Sequence, residues 1–248
     1  MKTEILFGIH PVLEGLRAGR RPFRCLFLAQ HRADERTEAL SAAAAARGVP
    51  VRRISAEKLR ALSGAEVHQG VCAEVGPLPV AADPLPDGLR NPFLLIADSV
   101  TDPHNLGALI RTALCAGVDG VVLPRDRAAG PSPVVSKASA GAMEHIRIHL
   151  ATNLARTLEE LKKKGVWISG MAADGSRSIF ESDLTVPLAV VIGGEGKGLR
   201  PLIRRQCDFL LTIPQKGPVS SLNASVAGAV VMYEAFRQRL SGTEPGKK

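Results

Sequence analysis

Three short segments hold polar and glycine residues in combinations that ordinary loops do not need, and each lies beside an apolar run. The first is Asp102-Pro103-His104-Asn105-Leu106-Gly107-Ala108-Leu109-Ile110-Arg111. Asn105 can cap a helix and set its amide at a loop mouth. Arg111 projects a guanidinium from an early turn, and Gly107 permits close backbone approach. The second is Gly193-Gly194-Glu195-Gly196-Lys197-Gly198, four glycines in six residues, which lets the backbone fold tightly and present amides to a ligand. A Walker phosphate loop is excluded, because Lys197 precedes Gly198 and not a hydroxyl that could hold magnesium; the dinucleotide Gly-x-Gly-x-x-Gly spacing fails as well. The third runs from Ile213 to Ala227, with Ser221, Asn223 and Ser225 opening a helix. Unpaired amides there favour an anion or an electron-rich ligand. Capping by Ser220 or Ser221 is the plain alternative, but it leaves two further small polar residues unexplained.

These segments need elements to position them. Apolar runs at 93–97, 120–123, 166–168, 188–192 and 209–213 read as strands. Helical patterns follow at 106–116, at 153–164 with Leu154, Leu158 and Leu161 on one face, and from Ser221 through Arg239. Strand and helix alternate, so this part is an α/β domain with a mostly parallel sheet covered on both faces, and ligands belong at the carboxyl ends of its strands. The first part reads as a smaller α/β unit. Helices are expected at 11–17, at 34–47 ending near Gly48, and at 56–62; strands are expected at 24–28, 49–54 and 71–75. Between the two parts, residues 76–88 carry four prolines, with Pro92 beyond. Proline removes donors and stiffens the chain. The expected division is a domain at 1–76, a linker at 77–92 and a second domain at 93–248.

Charge narrows the partners. The 248 residues include 32 Lys and Arg against 24 Asp and Glu, a formal net charge of +8. The excess divides evenly between 1–76 and the remainder, and it favours a polyanion, nucleic acid before a membrane surface. Arg17, Arg20, Arg21 and Arg24 crowd one end of the first unit, either as a phosphate-contacting patch or as a solvated face. Cys25, Cys72, Cys115 and Cys207 lie far apart with no C-x-x-C, which disfavours a zinc site and suggests buried thiols in a reducing compartment. The first residues lack the apolar core of a signal peptide, and no run is long enough for a membrane helix. A cytoplasmic protein with neither metal nor membrane partner is expected.

Taken together, the three motifs resemble the SpoU/TrmH family of the SPOUT methyltransferase superfamily, over essentially all of residues 93–240. Phe7-Gly8-Ile9-His10-Pro11-Val12 and His68-Gln69-Gly70-Val71 are similar to that family's small ribosomal-protein-like RNA-binding domain. Within the family the likeness runs to bacterial enzymes that methylate a guanosine ribose of 23S rRNA. The resemblance implies a trefoil knot in the C-terminal domain, a homodimer burying the last helix, and S-adenosylmethionine as cofactor. It places the adenosine part on the backbones of Gly193, Ile213 and Leu222. For the dimer surface, Val226, Val230, Val231, Tyr233 and Phe236 are candidates, though a monomer core explains the same residues.

The implied reaction is in-line methyl transfer to a ribose 2′-oxygen, with Asn105, Arg111, Glu195, Ser221 and Asn223 as the site. The leaving thioether is neutral, so neither an acid nor a metal is required. By analogy Arg111 is the base. A guanidinium, with a pKa above about 12, rarely loses its proton, so clamping a phosphate and stabilising a developing alkoxide is an equally economical role. Other readings remain: a tRNA ribose methyltransferase, a non-catalytic RNA-binding protein of the same fold, and a nucleotide-binding α/β protein that the failed phosphate-loop spacings weaken.

Overall fold

A computed structural model of the chain describes residues 3–30, 34–85, 88–216 and 221–241. Two units separate in it, one made of residues 1–79 with 131–145, the other of 80–130 with 146–248.

The first unit begins with β1 (Glu4–Phe7), α1 (Ile9–Ala18), β2 (Phe23–Ala29), α2 (Glu35–Ala45), β3 (Val51–Ile54), α3 (Ala56–Ser63) and β4 (Val71–Val75). Its four strands lie in the order β1-β4-β2-β3. Strand β4 is antiparallel to both β1 and β2, and β3 is parallel to β2. Asp34 starts α2 through a capping box: its carboxylate accepts from Thr37 N at 2.9 Å, and Thr37 Oγ1 accepts from Asp34 N at 3.0 Å. The three expected helices and three expected strands form, whereas β1 had no sequence signal. Four residues are too few to show a period of two.

The second unit opens with β5 (Phe93–Asp98), α4 (Pro103–Cys115) and β6 (Gly120–Pro124). The chain then gives a short helix, α5 (Pro133–Ala138), and a single 3₁₀ turn, Ala142–Glu144, to the first unit. It continues with β7 (Ile148–Ala151), α6 (Leu154–Lys163), β8 (Trp167–Met171), β9 (Arg177–Ser178), β10 (Leu188–Gly193), α7 (Pro201–Gln206), β11 (Phe209–Thr212) and α8 (Ala224–Ser241). Seven strands in the order β7-β6-β5-β10-β8-β11-β9 make one sheet, and all its pairings are parallel.

Every residue of β5 and β10 is buried, as a sheet covered on both faces requires. Alternate residues serve the two faces. Ala189 and Val191 pack with Leu154, Leu158 and Leu161 of α6. On the other face, a Cβ at Gly228 of α8 would stand 2.2 Å from Leu109 of α4 and 3.5 Å from Ile192, so this glycine sets how closely α8 approaches.

The division differs from the contiguous ranges expected at 1–76, 77–92 and 93–248. Residues 131–145 are bound to the first unit by ionic chemistry that hydropathy does not reveal. Arg21 is buried and donates to both Glu144 oxygens, at 2.8 Å each, and to Glu4 at 2.8 Å. Ser136 Oγ adds a bond to Glu144 at 2.7 Å. The stretch expected as a linker is also more tethered than its prolines suggested. Ala81 N donates to Ile148 O at 2.7 Å, and Asp83 pairs with Lys164 at 2.7 Å. Of the cysteines, Cys25 and Cys72 are buried and Cys207 partly so, but Cys115 is exposed, against the expectation of four buried thiols. Burial pushes the thiols of Cys72 and Cys207 up to about 11. No helix among the described residues is long and apolar enough to cross a membrane.

Candidate active site

At the carboxyl ends of β10, β8 and β11 a cavity of about 520 Å³ opens, lined by Met171, Ala172, the 193–199 loop, Ile213, Gln215 and residues 221–224 among others. The glycine loop forms its wall for a steric reason. A Cβ at Gly193 would lie 2.2 Å from the carbonyl carbon of Gly198, and one at Gly194 would lie 2.2 Å from Ser99 O. Only bare backbone fits at these two positions. The loop closes on itself through Gly198 N to Gly194 O at 3.0 Å, and Gly196 and Gly198 supply left-handed φ values of 75° and 61°.

Asp98, at the end of β5 and level with Gly193, fastens the far side of this loop. It is fully buried. It accepts from Arg200 N at 2.9 Å and Arg200 Nε at 2.6 Å. The sequence reading passed over Asp98 because it ends an apolar run and carries no motif. It likewise passed over Asp174 and Arg204, which line the cavity and form a two-pronged pair at 2.9 and 3.0 Å. That pairing holds the Asp174 carboxyl below its ordinary range.

A polar chain leads from the first motif to the last helix. Asp102, not Asn105, caps α4, accepting from His104 N at 3.0 Å. These contacts, the His104 amide first, lower the Asp102 pKa. Asn105 therefore sits within the first turn, free to bridge. Its Nδ2 donates to Asp102 at 3.1 Å and its Oδ1 accepts from Asn223 Nδ2 at 3.1 Å. Asn223 Oδ1 in turn accepts from Ser225 N at 2.8 Å and Ser225 Oγ at 2.6 Å, which makes Asn223 the cap of α8. A carboxylate can only accept, so both amide orientations follow from the ends of the chain. Of the two serines considered for that cap, Ser220 lies outside the described residues and Ser221 is exposed at the cavity.

The structure thus gathers Glu195, Ser221 and Asn223 with Gly193, Ile213 and Leu222 around one cavity, and links Asn105 to it. Arg111 is different. It is exposed on α4, does not line the cavity, and its side chain has no hydrogen bond or ion pair among the described residues. The four arginines of the first unit also part company. Arg17 is exposed and pairs with Glu14 at 2.7 Å, while Arg24 is exposed beside Glu74 at 3.6 Å. Arg20 is half-buried and donates to Glu144 O at 3.4 Å. Arg21, read as an RNA contact, has a side chain with 0% exposure and serves the ion-pair network instead.

A bare-backbone cavity where parallel strands end, with a helix N-terminus in its wall, defines an α/β protein whose ligand sits at the carboxyl ends of its strands. Residues 92–233 match the SpoU rRNA Methylase family, and residues 5–81 match the family described as RNA 2′-O ribose methyltransferase substrate binding. The chain is 43% identical over 244 residues to the 23S rRNA (guanosine-2′-O-)-methyltransferase of Pseudomonas putida, covering 96% of this chain and 98% of that one. To the enzyme of that name from Escherichia coli K12 it is 41% identical over 241 residues, covering 96% and 99%. The solved SpoU methyltransferase AviRb from Streptomyces viridochromogenes, in complex with the cofactor AdoMet, is 26% identical with a TM-score of 0.81, covering 96% of this chain and 90% of that one. The chain belongs to the SpoU rRNA methylase family. It is accordingly an RNA ribose 2′-O-methyltransferase that uses S-adenosylmethionine.

The residues present fit that cofactor. Neither Gly193 nor Gly194 leaves room for a Cβ, the cavity holds a ligand of this size, and Ile213 and Leu222 line it with apolar side chains.

Proposed function

We propose that the protein methylates the ribose 2′-hydroxyl of a guanosine in 23S rRNA. The observation that carries this reading is the single cavity joining Glu195, Ser221 and Asn223 to Gly193, Ile213 and Leu222. Both parts of the chain support the rRNA target over tRNA, because the likeness to the named 23S rRNA enzymes runs across 96% of it, the first unit included. Such a substrate places the protein in the cytoplasm.

Bound in the cavity, S-adenosylmethionine supplies an electrophilic methyl group on a sulfonium that departs as a neutral thioether. The backbones of Gly193, Ile213 and Leu222 hold the adenosine part. Ser221, Glu195 and the Asn105–Asn223 pair orient the ribose, and the cap of α8 keeps that pair in register. A 2′-hydroxyl is a poor nucleophile, so its developing negative charge needs a partner. Arg111 fills that role as a fixed cation, because a guanidinium donates hydrogen bonds and does not accept a proton.

Arg111 does not line the cavity of its own chain, so its position supports a homodimer. It shares an exposed stripe of α4 with Leu114 and Cys115, and α8 exposes Val226, Tyr233 and Leu240. Tyr233 meets Phe236 edge-on at 6.0 Å. Val231 is fully buried in its own chain and leaves the list of interface candidates. In this reading a second copy covers α4 and α8, and each subunit lends Arg111 to the other's cavity. Threading of the chain into a trefoil knot about the cavity belongs to the same proposal.

The test is Arg111→Ala. Methyl transfer to RNA should fall at least a hundredfold, while calorimetric titration with S-adenosylmethionine gives an unchanged Kd. Normal turnover in that variant contradicts the site.

A further inference from the structure

A second cavity, of about 590 Å³, opens at the carboxyl ends of β6 and β7 in the same unit. Pro124, Arg125, Asp126, Arg127, Ala151, the start of α6, Arg200 and Ile203 line it. It shares a boundary with the cofactor cavity. Leu199 and Arg204 face the one, while Arg200, Leu202 and Ile203 face the other.

Strand register fixes where it stands. Gly193 is level with Asp98, Ile96 with Val122, and Pro124 with Ala151. Neighbouring strands are ~4.8 Å apart, so Pro124 is on the order of 10 Å from Gly193 along the edge of the sheet. Successive phosphates of one strand lie farther apart than the ~3.4 Å axial rise of a stacked nucleotide, so a span of this size reaches a phosphate near the methylated ribose on the same strand.

The charges in the cavity are unequally used. Arg200 is committed to Asp98. Arg125 and Arg127 are exposed and have no hydrogen bond or ion pair from their side chains among the described residues, and Asp126 between them bonds neither. Their loop is nevertheless held at both ends, by Arg125 N to Ala151 O at 2.9 Å and Ala129 N to Val100 O at 2.8 Å. Arg127 has a φ of 59°, a left-handed backbone where glycine or asparagine is the ordinary choice. Two guanidiniums with all ten N–H donors free, on a pinned loop beside the start of α6, suit an oxyanion that accepts two-pronged bonds. Asn153 already caps α6, so the helix contributes only its field.

We propose that Arg125 and Arg127 hold a backbone phosphate of the RNA near the ribose that is methylated, on the same strand. The inference rests on the RNA methyltransferase reading and adds a second anchor to it. The anchor fixes register along the strand and carries no base information. It lies on the catalytic unit itself, so the RNA is gripped there independently of residues 1–79.

Transfer of labelled methyl to protein-free 23S rRNA by the full-length protein tests it. The variant is Arg125→Gln with Arg127→Asn, since asparagine tolerates the left-handed backbone. The control is Lys163→Ala, an exposed cation at the far end of α6. The double variant should raise the KM for RNA tenfold or more at ~0.1 M salt, with kcat within about twofold and cofactor affinity unchanged. Its log(kcat/KM) should fall less steeply with log salt, the slope shrinking by about 1. Lys163→Ala should leave both KM and slope as in the wild type. An unchanged KM, an equal rise in the control, or an unchanged salt slope overturns the proposal. Failure of the wild-type protein to methylate any RNA overturns the activity reading first, and is seen before a variant is made.

Discussion

At the scale of single residues, charge alone was a poor guide to role. Four arginines between 17 and 24 read as one basic patch, yet Arg21 has no exposed side chain and shares Glu144 and Glu4. Breaking a buried pair from one side leaves the other charge unmatched in a poor solvent, at a cost of about 3–5 kcal/mol. Arg21→Ala should therefore lower the unfolding free energy of the first unit by about that amount, read from urea titration. An RNA-affinity loss with wild-type stability would restore the surface reading. Arg111 shows the converse. Its neighbours in sequence singled it out, and it is exposed with no side-chain partner among the described residues; the proposed role in a second subunit's cavity is what its exposure leaves open. The polar residues at the cavity were legible because Asn105, Glu195, Ser221 and Asn223 belong to compact motifs. Asp98, Asp174 and Arg204 were not, since their partners lie 30 to 102 residues away in the chain and no local spacing encodes such a pair.

At the scale of elements, long apolar runs announced themselves and short pieces did not. The strands at 93–98 and 188–193 are buried throughout, so hydropathy alone found them. The pieces β1, β7, β9, α5 and α7 have two to six residues each. That is too few for a period to emerge, and they hold position through tertiary contacts. The glycine loop illustrates what an element needs beyond composition. Its glycines were visible, but the reason for two of them is contact with Gly198 and Ser99, and its tether is Asp98 gripping Arg200. Asp98→Asn removes a charge-assisted bond of about 1.5–3 kcal/mol. The loop should then hold its cofactor roughly tenfold more weakly by calorimetry, with RNA affinity unchanged. Cofactor affinity equal to the wild type would remove Asp98 from the account.

At the scale of the whole molecule, the composition of +8 pointed only to a polyanion. The family makes that polyanion RNA, and the proposed anchor at Arg125 and Arg127 would put part of the charge on its backbone. Domain boundaries were less legible, because residues 131–145 join the first unit through Arg21, which lies 123 residues from its partner Glu144. If each subunit lends Arg111 to its partner, mixing inactive Arg111→Ala and Ser221→Ala subunits under conditions of exchange should restore activity, because half of the sites in a mixed dimer are then intact. No recovery would place Arg111 at its own chain's cavity. The most direct measurement supplies purified protein with methyl-labelled S-adenosylmethionine and a mixture of protein-free 23S rRNA and tRNA, and maps the label by nuclease digestion and mass spectrometry. The account predicts one labelled guanosine in 23S rRNA, carrying its methyl on the ribose 2′-oxygen. Label confined to tRNA, a methyl on a base, or no transfer at all would contradict it.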